Sequence, residues 1–357
     1  MSSGRLILLS AGTPVELANQ QENVVFSSEV LARGFTPNPH IVVPLPYYLS
    51  QTDRSRPQVI TITSGKGGVG KTLFTINLAI ALAVHGKKVF VIDADLGTAN
   101  IDVLLRLTSK YNLTHLLSGE KNLLEIAIPA PGNIAVIAGG SGLQALTRMG
   151  ETQFSQIISS FNQLDGLADI ILLDTGAGIS RDVSNFLLAA DETIVVTTPE
   201  PHAITDAYAI LKVMSNLGCQ CKQMLVVNRA ENQAEADMAA SRLKGAVSRY
   251  LGREVEYIGF IPEDGVVTRS LKLQTPFQLS HPQSAPAANI GATTAIFGAT
   301  AVGMPISTTH AAASSIVGAG VGSGRGANWR VVGEMVVAWV ITIPSAALVS
   351  FLMFKLT

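Results

Sequence analysis

Gly65-Lys66-Gly67-Gly68-Val69-Gly70-Lys71-Thr72 is the stretch on which the reading of this chain turns. It satisfies G-x-x-x-x-G-K-[ST] in full, with the apolar run Val59–Thr63 before it and the amphipathic stretch Thr72–His85 after it. The motif requires that strand–loop–helix setting. Glycines let successive backbone N–H groups turn inward around phosphate oxygens, and the following helix presents its positive N-terminus to the same charge. The eight residues are therefore candidate nucleotide-binding residues. Lys71 is expected to reach the β- and γ-phosphates and the Thr72 hydroxyl to bind Mg²⁺.

Working outward, six more short apolar runs follow: Lys88–Asp93, Ile134–Ala138, Ile170–Asp174, Thr193–Thr197, Met224–Val227 and Val255–Ile261. Their length and branched residues suit strands buried on both faces. Helical stretches such as Ala203–Leu217 and Ala234–Tyr250 lie between them. Strand and helix alternating in this way imply a doubly wound, mostly parallel α/β sheet over residues 57–290, with ligands at the carboxyl ends of its strands.

Lys66 goes beyond the general motif. A lysine directly after the first glycine resembles the deviant loop K-G-G-x-G-K-[ST] of the MinD/ParA group of P-loop ATPases. The resemblance implies ATP and Mg²⁺ as cofactors. It also implies a Lys66 that reaches the partner's nucleotide in an ATP-dependent homodimer; the plainer reading is a solvated loop lysine. Ile92-Asp93-Ala94-Asp95 ends the second strand. Asp95 resembles the carboxylate that positions the attacking water, so Lys66, Lys71 and Asp95 form the expected catalytic set. Asp93 resembles a supporting or metal-side group, although both carboxylates could instead cap the following turn. Leu172-Leu173-Asp174 resembles the strand whose carboxylate serves the metal, giving Thr72, Asp93 and Asp174 as metal-side residues. Asn228 and Arg229, then Pro262 and Asp264, resemble the elements around the base; an asparagine amide offers adenine one donor and one acceptor.

Asp93–Leu105, Gly139–Leu143, Asp174–Ser180 and Ala190–Tyr208 resemble, more narrowly, the FlhG (YlxH) family of flagellar-number ATPases. That resemblance implies an ATP-bound dimer on the cytoplasmic face of the inner membrane, controlling the placement or number of flagella. A flagellar GTPase or basal-body proteins would be its partners. The family's GTPase-activating segment, usually with an Asp-Gln motif, has no good match in residues 1–56, where Asn19-Gln20-Gln21 is the nearest echo. Four prolines between Thr36 and Tyr48 disfavour a regular helix there, which leaves a poorly ordered leader, a linker or an extended strip as readings.

Composition changes sharply after Ile290. Only Arg325, Arg330, Glu334 and Lys355 are charged among the last 67 residues, against 47 of the first 290. Met335–Phe354 carries no formal charge over 20 positions, which at ~1.5 Å per residue matches a bilayer core. Trp339, Arg330 and Lys355 suit anchoring at the interfaces. Gly303–Ala311 and Asn328–Val332 resemble the C-terminus of PiT-family inorganic phosphate transporters. The resemblance implies a re-entrant hairpin over about 292–324, with Ser307, Thr308 and Thr309 offering hydroxyls to phosphate at its tip. His310 is either a ligand or a packed tip residue. Most transporter helices are missing, so transport by this segment alone is not expected. The expected whole is an α/β ATPase body followed by an α-helical, membrane-type tail over 291–357.

The net charge of −1, from 25 basic and 26 acidic residues, lacks the basic excess of a nucleic-acid-coating protein. It counts against a ParA-type DNA-partition role, and no nucleic-acid partner is expected. Arg5 precedes only Leu6-Ile7-Leu8-Leu9, shorter than an export-signal core, so the body is expected to remain in the cytoplasm. Cys219 and Cys221 are too few for a disulfide framework and lack further ligands for zinc. They are expected to be two structural thiols at the start of a strand.

Overall fold

A computed structural model describes the strands within 14–19, 24–29, 32–34 and 40–42, then residues 56–301 apart from 96–99 and 141–149, and the single positions 314, 332 and 333. The N-terminal unit, residues 1–56, contains two antiparallel pairs. β1 (Pro14–Asn19) pairs with β2 (Val24–Glu29), and β3 (Ala32–Gly34) with β4 (His40–Val42).

The second unit is built on an eight-stranded sheet. Its strands are β5 (Gln58–Ser64), β6 (Val89–Ala94), β7 (Ile128–Ala130), β8 (Ile134–Ile137), β9 (Ile170–Ala177), β10 (Glu192–Thr197), β11 (Lys222–Ala230) and β12 (Glu256–Pro262). Their spatial order is β12-β11-β10-β5-β9-β6-β8-β7. Every ladder is parallel except β7–β8 at one edge. The mostly parallel sheet expected from the sequence is therefore present. The short antiparallel edge strand at Ile128–Ala130 is an addition, since three residues around Pro129 carry no readable alternation.

Helices α1 (Lys71–Val84), α2 (Ile101–Leu105), α3 (Leu113–Leu117), α4 (Leu123–Ile126) and α5 (Glu151–Ser160) belong to the first half of the sheet. α6 (Arg181–Ala189), α7 (Pro201–Asn216), α8 (Gln233–Leu251), α9 (Gly265–Leu273), α10 (Phe277–Ser280) and α11 (Ala285–Ala301) complete it. Successive strand residues point to opposite faces, and both faces are covered. Ile60, Ile62, Leu172 and Val226 join Phe74 and Leu78 of α1 on one side. Val59, Ile171 and Leu173 meet Ile157 and Phe186 on the other, where Val195 and Leu225 also pack with α7 and α8. Each such side chain stabilises the fold by roughly 1.5–3 kcal/mol relative to exposure. Helix ends are fixed locally: Asn232 Oδ1 accepts the Glu235 N–H at 3.0 Å to start α8, and Gly252, at φ 61°, ends it.

α11 runs through the 290/291 boundary between body and tail. Ala287, Ile290 and Ile296 are buried in the same core as Ile258 and Ile261 of β12 and Phe277 of α10. No helix among the described residues is long and apolar enough to cross a membrane. The expected helix at 335–354, the tip residues Ser307, Thr308 and Thr309, and most of the expected hairpin at 292–324 lie outside the described residues.

Candidate nucleotide-binding site

β5 ends at Ser64, the loop turns through Gly65–Gly70, and α1 begins at Lys71. Two glycines are required by space. A Cβ on Gly65 would collide with the backbone of Asp206 in α7, and one on Gly70 with the Asn228 amide. Gly70 also holds φ 88°, which costs glycine little and other residues more. The loop is thereby pressed between two neighbouring elements.

Behind it, Lys71 is 8% exposed and its Nζ lies 3.5 Å from Asp174 Oδ1. Thr72 Oγ1 donates to Asp174 Oδ2 at 2.6 Å, and Thr75 Oγ1 lies 3.1 Å from Asp174 Oδ1. One buried carboxylate in β9 thus gathers the lysine and two hydroxyls from one face of α1. Thr75 is a site residue that the motif did not reveal; its position, one helical turn after Lys71, is the signal that could have found it.

Asp93 occupies the same register row as Asp174 on the adjacent strand β6. Its carboxylate accepts backbone N–H groups of Asp95 at 3.1 Å, Asn100 at 2.9 Å and Ile101 at 3.2 Å. Of the two roles open to Asp93, holding the turn into α2 is therefore visible directly. Burial first, then the charge of Asp174, raise its carboxyl to about 7 against those hydrogen bonds. Burial also raises Asp174, opposed by Lys71 and the two threonines.

A cleft of about 790 Å³ opens above this floor, lined by Gly67 to Thr72, by Asp95 and by Gly176 and Ala177 at the end of β9. Its volume falls in the range of small-molecule sites. The donor set fits Mg²⁺. Among the described residues no group of three His, Cys, Asp or Glu side chains could hold a metal alone. Mg²⁺ needs no such cage, because it is held through one or two carboxylates together with substrate phosphates. The Thr72 hydroxyl and Asp174 are the residues placed to hold it, and a cation there would offset two adjoining buried carboxyls.

Lys66 behaves differently from the rest of the loop. It is absent from the cleft wall, its side chain is 36% exposed, and its Nζ lies 2.9 Å from Glu200 Oε2 and against His202 Nε2. Both partners lie just before or within the first turn of α7 and were missed by motif reading. Asn228 Nδ2 donates to the Val69 carbonyl at 2.7 Å, so its amide braces the loop. Arg229, at φ 58°, is exposed, 3.6 Å from Glu263. Pro262 ends β12. Asp264 caps α9, its Oδ1 accepting the Val266 N–H at 2.8 Å. These four lie along the ends of β11 and β12 rather than in the cleft wall.

Comparison with known proteins agrees with this arrangement. Residues 57–227 match the AAA domain family, and residues 277–350 match the phosphate transporter family. The antiactivator FleN of Pseudomonas aeruginosa is 36% identical over 227 residues, covering 64% of this chain and 81% of FleN. The flagellum site-determining protein YlxH of Helicobacter pylori is 37% identical over 222 residues, covering 62% and 74%. Among solved structures, the cell division ATPase MinD of Pyrococcus furiosus superposes with a TM-score of 0.59 at 25% identity, covering 68% of this chain and 99% of that one. The Pyrococcus horikoshii MinD complexed with Mg-ADP gives 0.59 at 26%, covering 69% and 98%.

Proposed function

The chain belongs to the P-loop ATPase family of FleN, YlxH and MinD, and from that membership we propose that it is an ATP-switched homodimer controlling the number or placement of flagella at the inner membrane. It is an ATPase, with ATP and Mg²⁺ as its cofactors. The observation that carries the switch is the direction of Lys66. The loop from Gly67 to Thr72 faces its own cleft, whereas Lys66 points outward to Glu200 and His202. A lysine on that outer side supports a role for it at the nucleotide of an apposed copy. Solvent screens a half-exposed ion pair, so Glu200 can yield Lys66 to a phosphate at little cost.

Within one protomer, Lys71 supplies a buried positive charge under the phosphates, while Thr72 and Asp174 form the metal-side edge. Mg²⁺ held by Thr72 and Asp174 would supply positive charge against that developing on the phosphate oxygens. Asp95, on the cleft wall, orients the attacking water and accepts its proton. Asp93 holds the turn that carries Asp95. Asn228 and Arg229, with Pro262 and Asp264, flank the base. The chain beyond α11, whose residues to Ile296 pack in the body, tethers the ATPase to the cytoplasmic face of the membrane through a crossing at 335–354. Ser307, Thr308 and Thr309 would be the phosphate-facing hydroxyls of that transporter-like segment. Flagellar GTPase or basal-body proteins are the partners this reading calls for.

Counting flagella by electron microscopy tests the biological role. Raised levels of the wild-type chain should lower the count per cell, and the Lys71→Ala variant at equal levels should not. Equal counts in cells with raised, absent or Lys71→Ala protein would contradict a flagellar role.

A further inference from the structure

At the opposite end of the strands from the nucleotide loop, where β11 and β12 begin, lies a second cleft of about 810 Å³. Cys221 forms part of its wall. Cys219 and Cys221 are both free thiols, and their Sγ atoms are in direct contact. The pair is held from three sides. Arg253 Nη1 donates to the Cys219 carbonyl at 2.6 Å, Thr193 Oγ1 lies 3.4 Å from Cys221 Sγ, and Cys219 Sγ lies 3.5 Å from the Leu187 carbonyl. The hydrogen bond from Cys221, aided by the charge of Arg253, brings Cys219 down to about 6 against its burial. Gln223, only 6% exposed, lines the same cleft, and neither of its amide atoms has a hydrogen-bond partner among the described residues. An unpaired buried amide is costly, and a peptide-like group entering the cleft would supply its partner.

We propose that Cys219 and Cys221 are a redox-active dithiol, oxidised by low-molecular-weight, peptide-like disulfides that enter this cleft. Cys219 is 4% exposed, so the reaction must begin on Cys221. In the resting pair the hydrogen bond to Cys219 and burial push the Cys221 thiol up, so Cys221 holds the proton; passing that proton to the adjoining Cys219 thiolate as the disulfide enters makes Cys221 the attacking thiolate. Cys221 Sγ attacks one sulfur of the incoming disulfide, whose S–S bond breaks, and the departing thiolate takes the proton from Cys219. The Cys219 thiolate then attacks Cys221 Sγ, forming the Cys219–Cys221 bond and expelling the second small thiolate, which solvent protonates. Two protein thiols lose two electrons, and the small disulfide leaves as two thiols. Disulfides of this transient kind are the ones found in reducing compartments. The pair also precedes the strand whose far end carries Asn228, the brace of the nucleotide loop.

The whole chain incubated with oxidised glutathione, quenched in acid and mapped by mass spectrometry tests this. The wild type should lose the mass of two hydrogens, keep no glutathione, and yield Cys219 and Cys221 bridged in one peptide. Cys219→Ser should trap glutathione on Cys221, because the resolving sulfur is gone. Cys221→Ser should stay unmodified. The wild-type readout stands whether or not the variants fold. A wild-type chain that remains fully reduced, or that accumulates the glutathione adduct, would overturn the proposal. So would a Cys221→Ser variant that reacts as fast as the wild type.

Discussion

Asp93 and Asp174 stand directly opposite one another on the adjacent parallel strands β6 and β9, both about 1% exposed. Lys71 is the one cation that Asp174 contacts within its own protomer among the described residues. Two buried carboxyls in one row favour a divalent cation beside them, because each otherwise resists the ionisation of the other. Asp174→Asn should keep the Thr72 hydrogen bond through its amide oxygen but lose the charge. The gain in ATP affinity on adding Mg²⁺ should fall about 10–100-fold, the usual cost of disturbing a group that supports a metal. Titrations with Mg²⁺ and with chelator measure it; an unchanged Mg²⁺ dependence would remove Asp174 from the metal side.

Lys71→Ala should bind ATP about 10–150-fold more weakly, since a charge-assisted contact of roughly 1.5–3 kcal/mol is lost in a buried setting. Asp95→Ala should bind ATP normally and turn over about 10²–10⁴-fold more slowly, the range for losing a positioned proton acceptor. Fluorescent-nucleotide binding and phosphate release, measured on the same preparations, separate the two roles. Wild-type turnover by Asp95→Ala would contradict its assignment.

Much of this site was legible in the sequence because phosphate binding imposes a local spacing. Gly65 to Thr72 form one loop and the start of a helix, Asp93 and Asp95 lie at the end of the β6 run, and Asp174 follows the apolar run Ile170–Leu173 of β9. The contacts that join distant segments were not legible. Glu200 and His202 meet Lys66 from 134 and 136 residues away, and Asn228 braces Val69 from 159. No spacing rule relates such pairs; the strand order β11-β10-β5 brings them together. The role of α11 was hidden for another reason. Its small and apolar residues read as membrane-like, yet Ile290 and Ile296 face β12 and α10.

Ile290→Ala should therefore destabilise the ATPase itself, by about 2–5 kcal/mol, as for other large-to-small changes in a closed core. Thermal unfolding followed by circular dichroism reads the effect. A chain ending at residue 284 that retained full stability would show that α11 is dispensable to the body.

Glu192 begins β10 with a carboxyl raised from 4.5 to about 7, chiefly by burial, with Lys222 opposing. The folded state then binds the proton more tightly than the unfolded chain does. Its contribution to stability is complete below about pH 4.5 and is lost as pH rises through 7. Glu192→Gln should consequently gain stability over the wild type as pH rises from 5 to 8, by at most about 3 kcal/mol at ~1.4 kcal/mol per pK unit. Melting curves across that range check the sign; a variant that loses ground with rising pH would contradict it.

The proposed switch requires Lys66 to leave Glu200 and complete the site of a second copy. Light scattering on purified chain, in detergent if the tail requires it, with ATP, ADP or no nucleotide, addresses it most directly. The wild type should be dimeric with ATP, more persistently so as Asp95→Ala, and monomeric with ADP. Lys66→Ala should bind ATP with wild-type affinity and stay monomeric. An ATP-dependent dimer of Lys66→Ala equal to that of the wild type would contradict the account.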